Sequence, residues 1–296
     1  MNTATDTAMT NFHERFNTRY EQMNLNYQTD SQSLWLYMQA APRPCFTSQL
    51  LSEIQHLFGQ FYTLPVKDHP VKYLVAASGI PDVFNLGGDL DKFSRLIKAG
   101  DRDSLHEYAV QCLDVVYECS RLFYHGITTI SLIQGSALGG GFEAALACNV
   151  IVAEKSTQIG FPEILFNLFP GMGAYSYLSR RVSPAVAEKI ISSGRIYSGE
   201  ELHAMGVVDV LAEDGEGENA VNSYIKQHAT QRASRLAMQQ AYMYVNPVSL
   251  VEMRATLDIW VDTAINLDER SLRIMQRLMR AQNRKMSRQT QDNRVA

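Results

Sequence analysis

The segment GSALGGGFEAALACNVIVAE, residues 135–154, contains three adjacent glycines and one carboxylate in an otherwise apolar run. It follows ITTISLIQG (127–135), whose β-branched residues predict a buried strand. Glycines 139–141 then predict a turn, the residues from Phe142 onward predict the start of a helix, and NVIVAE (149–154) predicts a further strand. Strand, turn, helix and strand in this order indicate an α/β core with short parallel strands.

The rest of the chain continues this alternation before it becomes helical. Further strands are predicted at 34–38, 71–78 and 157–161, and apolar residues at helical spacing predict helices within 49–61 and 91–123. The expected organisation is a flexible N-terminal segment (1–30), an α/β core (31–212), a helical C-terminal region (213–284) and a polar tail (285–296).

The composition is that of a globular protein with no electrostatic preference for polyanions. The 296 residues are 46% hydrophobic and 20% charged, with a formal net charge of −4. This balance gives no reason to expect nucleic acid or an anionic membrane as partner. The N-terminal residues lack the apolar stretch of a signal peptide, and the four cysteines lack CxxC spacing. We therefore expect a cytoplasmic protein with reduced, structural cysteines and no membrane span.

A second isolated carboxylate, Glu163, lies twenty residues after Glu143, in GFPEILFNLFPGMG (160–173). Taken singly, each acid is best explained by the first turn of a helix, where the helix dipole favours negative charge. Both acids, however, have apolar neighbours. Burial beside a second acid raises the pKa of a carboxyl toward the range useful for proton transfer. Two such carboxyls at one pocket can divide the roles of general acid and general base.

The glycines predict an oxyanion-binding site. A backbone N–H at the N-terminus of a helix has no partner within the helix, and glycine there lets a substrate carbonyl approach. A second donor can come from FNLGGDL (84–90), which follows the strand predicted at 71–78. The sequence contains no GxGxxG, Walker, HExxH or GxSxG motif. We therefore expect neither a metal ion nor another cofactor.

The sequence resembles the crotonase (enoyl-CoA hydratase/isomerase) superfamily over about residues 34–212. The resemblance rests on the opening segment, on IGFPEILFNLFPG (159–171), on FNLGGDL and on SGRIYSGEELHAMGVVDVL (193–211). It implies an α/β fold with a layered β-β-α spiral core and a helical C-terminal region. By position, the two oxyanion donors and the paired acids of the superfamily correspond to Gly88, Gly140, Glu143 and Glu163.

Within the superfamily, YMQAAPRPCFTSQLLSEI (37–54) and GFPEILFNLFPGMGAYSYLSRRV (160–182) resemble the bacterial diffusible-signal-factor (DSF) synthases. PGMGAYSYL stands where ordinary hydratases show a Gly-Gly-Thr run, and Asn149 replaces a frequent Asp, which also favours the synthases. The resemblance implies dehydration of a 3-hydroxyacyl thioester to a cis-2-enoyl thioester, then hydrolysis to a free fatty acid used in quorum sensing. The residues expected to line an acyl slot, each equally well explained by core packing, are Phe166, Leu168, Met172 and Trp260.

In the expected mechanism Glu163 removes the C2 proton and Glu143 protonates the departing 3-hydroxyl. The resemblance further implies that acyl carrier protein or CoA delivers the substrate, that the chain forms a homo-oligomer, and that a sensor kinase is a regulatory partner. Two alternatives stay open at this point. One is an enoyl-CoA hydratase or isomerase that never releases free acid, and the other is an inactive crotonase-fold protein that binds a partner.

Overall fold

The computed structural model describes residues 18–64 and 69–292, with side chains up to residue 280. Within these ranges the strands are β1 (Met23–Gln28), β2 (Ser33–Met38), β3 (Tyr73–Ser78), β4 (Val83–Asn85), β5 (Thr128–Ile133), β6 (Ser136–Leu138), β7 (Val150–Glu154), β8 (Ile159–Gly160), β9 (Ile196–Tyr197) and β10 (Val210–Ala212). The α-helices of the same ranges are α1 (Ser48–Tyr62), α2 (Leu90–Ala99), α3 (Arg102–Arg121), α4 (Gly140–Leu146), α5 (Ala174–Arg181), α6 (Pro184–Ser192), α7 (Gly199–Ala204), α8 (Gly217–His228), α9 (Arg232–Val245), α10 (Leu250–Ile265) and α11 (Glu269–Asp292). Short 3₁₀ helices lie at Leu122–His125, Glu163–Phe166 and Ala229–Gln231.

The strands form one large and one small sheet. The large sheet has the order β1-β2-β3-β5-β7-β10, and the small sheet has the order β4-β6-β8-β9. In the large sheet every neighbouring pair is parallel except β1 and β2. Every residue of β5 and β7 is buried, because both faces of a parallel sheet are covered. The structure thus confirms the strands predicted at 34–38, 71–78, 127–135, 149–154 and 157–161, and with them the α/β core.

The ordered core begins earlier in the chain than the sequence predicted. Residues Met23–Gln28 fall in the segment expected to be flexible, yet they form β1, which pairs antiparallel with β2 along its full length. Met23 is buried, and the Glu53 carboxylate of α1 accepts hydrogen bonds from the backbone N–H groups of Glu21 and Gln22 at 2.9 Å each. These contacts stabilise the segment in a way that its polar composition does not indicate. Residues 1–17 lie outside the described residues.

The predicted helical region 91–123 is divided into two helices. Gly100 ends α2 with a φ of +66°, and the Asp101 side chain caps α3 by accepting the N–H of Ser104. A glycine in the left-handed region followed by an N-cap aspartate is a strong stop-and-start signal. The break separates α2 from α3, and α2 borders the cavity described below.

The C-terminal helices close one side of the core. The buried residues of α10 share one face of the helix and are Met253, Leu257, Trp260, Val261 and Ala264. α11 packs against the 3₁₀ helix Glu163–Phe166 and against α2. It continues through residues 285–292, part of the predicted polar tail, because Glu269–Asp292 contains no glycine or proline to end a helix. Residues 293–296 lie outside the described part of the chain.

Two further properties concern the hydropathy of the helices and the state of the cysteines. None of the helices in the described ranges is long and apolar enough to cross a membrane. The four cysteines are free thiols, and the sulfur atoms of Cys119 and Cys148 lie 3.8 Å apart between α3 and the residues after α4.

Candidate active site

The glycine triplet joins β6 to α4 and brings two loops into contact. Gly139 has a φ of +54° and a ψ of −125°, a conformation that residues with a Cβ rarely adopt. A Cβ at Gly141 would overlap the carbonyl of Asn85 at the end of β4. Because Gly139 and Gly141 have no side chains, α4 can begin directly against the loop that follows β4.

The amides of Gly88 and Gly140 border the same cavity. The Asn85 side chain holds the first loop by accepting the N–H of Gly87 at 2.8 Å. A Cβ placed on Gly140 would lie 3.5 Å from the nitrogen of Gly88, so the two amides are close neighbours. Neither amide has a hydrogen-bond acceptor among the described residues. Two adjacent N–H groups without acceptors can bind one oxygen that carries negative charge.

Glu143 projects from the first turn of α4 into the core. It is 1% exposed, and its Oε1 atom accepts the backbone N–H groups of Met172 at 2.7 Å and Ala174 at 2.9 Å. Burial raises the pKa of this carboxyl to about 7, although the two N–H bonds favour its charged form. Because Oε1 accepts both bonds, the neutral carboxyl carries its proton on Oε2.

Glu163 begins the 3₁₀ helix after β8 and faces the same cavity. The residue is partly exposed as a whole, but its Oε2 atom is buried without a hydrogen-bond partner among the described residues. A Cβ placed on residue 139 would overlap its Oε1 atom, so only glycine at that position leaves room for the carboxyl. Burial, and then the charge of Glu143, raise the pKa of Glu163 to about 8. The two acids are therefore coupled and share protons near neutral pH.

Every residue that the sequence analysis assigned to the site borders one cavity of about 40 Å³. The predicted residues on its surface are Gly88, Gly140, Glu143, Glu163, Phe166, Leu168, Met172 and Trp260. Sequence reasoning missed further apolar residues of the wall, among them Leu86, Leu90, Phe93, Ile97, Leu138, Met275 and Leu278. For the wall residues that belong to α2 and α11, helical spacing indicates burial but does not indicate which cavity they border. The volume holds about three water molecules, so a long acyl chain requires the walls to move apart.

The wall is tightly packed around Trp260. The Trp260 ring lies 5.1 Å from the ring of Phe93, and a Cβ on Gly171 would overlap the Trp260 side chain.

No group of three or more His, Cys, Asp and Glu residues that could hold a metal ion occurs among the residues whose side chains are described. The site thus combines two buried carboxyls and two amides in an apolar enclosure. Such a set can stabilise an enolate or a tetrahedral oxyanion and can move protons on either side of it.

Comparison with known proteins assigns the chain to a family. Residues 40–259 match the family described as enoyl-CoA hydratase/isomerase. The chain belongs to that family. Rat methylglutaconyl-CoA hydratase is 31% identical over 154 residues, which is 52% of this chain and 47% of that protein. Human mitochondrial enoyl-CoA hydratase domain-containing protein 2 is 32% identical over 176 residues, which is 59% of this chain and 55% of that protein. The matched stretch thus spans about half the length of these hydratase relatives.

Solved structures show that the fold of this enoyl-CoA hydratase/isomerase family member is the crotonase fold. Human mitochondrial delta3-delta2-enoyl-CoA isomerase superposes with a TM-score of 0.71 at 16% identity, covering 90% of this chain and 99% of that chain. Pseudomonas aeruginosa DspI superposes with a TM-score of 0.67 at 21% identity, covering 82% of this chain and 96% of that chain. The layered core and helical C-terminal region expected from the sequence are confirmed.

Proposed function

We propose that the chain dehydrates a 3-hydroxyacyl thioester of acyl carrier protein and then hydrolyses the product, releasing a cis-2-unsaturated fatty acid of the DSF type. The observation that carries this proposal is the enclosed apolar cavity that holds both carboxyls and both free amides. The DSF assignment is supported by the position of a stretch that resembles the DSF synthases, since residues 160–182 border the cavity. Residues 160–182 supply Glu163, the two N–H groups that bind Glu143, and much of the apolar wall.

In the proposed dehydration, the amides of Gly88 and Gly140 bind the thioester carbonyl oxygen. Glu163, as the carboxylate, takes the C2 proton, and the C–H electrons form an enolate whose oxygen the amides stabilise. Glu143 donates the proton on Oε2 to the 3-hydroxyl, the C3–O bond breaks, and water leaves as the C2–C3 double bond forms. The charge of Glu143 raises the pKa of Glu163, and this effect disappears while Glu143 holds the proton. The pKa values of the two acids, about 7 and about 8, are close, so the single proton of the pair is found on either acid, and the form with the proton on Glu143 is the reactive one.

The second step uses the same groups with their protons exchanged. Glu143, now a carboxylate, takes a proton from a water molecule that attacks the carbonyl carbon. The amides bind the tetrahedral oxyanion, which collapses by breaking the C–S bond. Glu163 gives its proton to the departing thiolate, so the pair returns to its starting state. A single donor of this kind typically lowers the barrier by about 3 kcal/mol.

The second candidate function is hydration or isomerisation of an enoyl-CoA without release of acid, which membership of the family favours. The third is partner binding without catalysis. Mass spectrometry of the products formed from a medium-chain 3-hydroxyacyl carrier protein separates all three. We expect free cis-2-enoic acid. A product that stays on its carrier would support the second candidate, and absence of turnover on acyl carrier protein and CoA thioesters would support the third.

We also expect kcat to have a bell-shaped dependence on pH, with its maximum between about pH 7 and pH 8. The reaction needs one proton on the pair whose pKa values lie at about 7 and about 8. At lower pH both carboxyls are neutral and no base remains, while at higher pH both are ionised and no acid remains. Initial rates of acid release under saturating substrate measure the profile. A rate that rises steadily through pH 9 would contradict the proposal that the pair shares one proton.

The expected homo-oligomer and sensor-kinase partner stay predictions. α9 is a candidate surface for contact between copies, because it buries no residue in this chain. Met238, Tyr244 and Val245 on this helix are 68%, 81% and 85% exposed. Exposed apolar clusters of this kind are typical of protein interfaces.

A further inference from the structure

α11 concentrates positive charge in a chain that is negative overall. Its residues 269–292 include seven of the 27 lysines and arginines but only two of the 31 acids. The arginines at 270, 273, 277 and 280 follow one another at intervals of three and four residues, and those at 284 and 288 continue the spacing. At 100° per residue, these intervals place all six positions on one face of the helix.

The opposite face of α11 is buried in the protein. Leu272 and Met275 are 6% and 1% exposed, whereas Arg270, Arg273, Arg277 and Arg280 are all exposed. Among the described residues, one ion pair involves these four arginines, that of Arg273 with Glu269 on the same helix at 3.0 Å. Asp268 also interacts electrostatically with Arg270 and Arg273, whereas no ion pair involves Arg277 or Arg280 among the residues whose side chains are described. Keeping like charges together costs free energy through mutual repulsion, which an acidic partner would remove.

A second helix enlarges this surface. Gln276 of α11 donates a hydrogen bond to the Ser94 hydroxyl of α2 at 3.1 Å. Arg95 and Lys98, next to Ser94 and one turn after it, are exposed. We call Arg95 and Lys98, together with Arg270, Arg273, Arg277 and Arg280, the basic surface.

The two helices that carry the basic surface also form a wall of the active-site cavity. α2 contributes Phe93 and Ile97 to that wall, and α11 contributes Met275 and Leu278. Arg277 is the residue before Leu278, so the charged face and the cavity wall share one turn of α11. Whatever carries the acyl group into the cavity past these helices therefore meets the basic surface.

We infer that the basic surface docks a small acidic carrier protein that presents the acyl group on a pantetheine arm. This inference rests on the proposed function and names the part of the chain that recognises the carrier. The surface fits a protein better than CoA because of its length. From residue 270 to residue 280 its arginines extend about 15 Å along the axis of α11, and Arg95 and Lys98 extend it onto α2, whereas the phosphates of CoA cluster at one end of a small molecule. A membrane fits less well because the apolar face of α11 is already buried and cannot insert into lipid.

The test compares two double variants with the same change in net charge. R277E/R280E reverses two charges of the basic surface, and K189E/K226E reverses two exposed lysines on α6 and α8, away from it. Calorimetric titration with holo-acyl carrier protein, which has no acyl group, measures docking alone. We expect about tenfold or greater loss of affinity in R277E/R280E, little change in K189E/K226E, and weaker wild-type binding at high salt.

Kinetics separate docking from chemistry. For R277E/R280E we expect kcat/KM to fall about tenfold with an acyl carrier protein substrate and to stay unchanged when the same acyl group is on N-acetylcysteamine. Equal carrier affinity in both variants would overturn the inference. An equal loss with acyl-CoA would assign the surface to CoA phosphates, and binding to phosphatidylglycerol vesicles but not to holo-carrier would assign it to a membrane. Free acid formed without charge-dependent docking contradicts this inference alone, whereas charge-dependent docking without acid release contradicts the proposed function alone.

Discussion

Glu143→Gln and Glu163→Gln each lower the release of cis-2-enoic acid by about 100- to 10,000-fold, the usual contribution of a positioned acid or base. Glutamine has the shape of glutamate but neither accepts nor delivers a proton at neutral pH. In the first variant the amide oxygen can still accept the N–H groups of Met172 and Ala174, which Oε1 accepts in the native protein. Replacement by alanine would instead leave two buried donors without acceptors. Single-turnover assays with product quantification by mass spectrometry measure the loss.

Glu154→Gln is the matched control for these variants. Glu154 is also a buried glutamate that accepts through Oε1, from the N–H of Gly217 at 3.0 Å and the Gln134 side chain at 2.9 Å. It lies outside the cavity, so we expect activity within a factor of about two of the native protein. Native activity in both Glu143→Gln and Glu163→Gln would refute their catalytic roles.

Exchange of the C2 hydrogen with deuterium from solvent distinguishes the two acids. Glu163→Gln removes the proposed base, so we expect it to abolish exchange. Glu143→Gln removes the proposed acid, so we expect exchange to continue although water is not eliminated. The reverse pattern would interchange the two roles while leaving the pair in place.

The pH dependence of thermal stability tests the raised pKa of Glu163 independently of catalysis. Burial raises its pKa, so the folded protein binds a proton more tightly than the unfolded chain does. The stability that comes from this proton is fully present below the unfolded pKa, near 4.5, and is lost as the pH rises through about 8. Glutamine has no such loss. We therefore expect Glu163→Gln to melt at a higher temperature than the native protein above pH 8.

Gly140→Pro has the second large effect, a fall in kcat of about 100- to 1,000-fold, typical of the loss of one oxyanion donor. Gly140 is the first residue of α4, the helical position that best accommodates proline, because its N–H has no partner within the helix. Proline there removes the proposed donor while the helix can still form. Steady-state kinetics with the carrier-protein substrate measure kcat, and circular dichroism monitors the fold.

Gly140→Ala separates loss of the N–H group from added bulk. Alanine keeps the donor and adds a Cβ that would lie 3.3 Å from the Cα of Gly87, a tight contact. We expect the alanine variant to retain at least about ten times the kcat of the proline variant, because the N–H group stabilises the oxyanion by more free energy than the added Cβ removes. Equal activity of the proline and alanine variants would show that this amide does not bind the oxyanion.

The strands, the turn at the glycines and the two candidate acids can be predicted from short stretches of sequence, because each depends mainly on residues that are neighbours in the chain. The strands around β5 and β7 were predicted since each is a short apolar run bounded by turn residues. The break between strand and helix at Gly139 was predicted since glycine permits that backbone conformation. Glu143 and Glu163 were singled out because an acid among apolar residues has to be buried, partnered or functional.

The tertiary structure alone decided how these parts meet. Gly88 and Gly140 are about fifty residues apart in the chain, and packing of the loops after β4 and β6 brings their amides together. The donors to Glu143 are backbone N–H groups, which every residue except proline possesses, so no side-chain pattern marks Met172 or Ala174. Likewise, the spacing of apolar residues in α2 and α11 reports that a face is buried but not against what. Local sequence therefore determined the elements and the candidate acids, and long-range packing determined the cavity in which those acids share their protons.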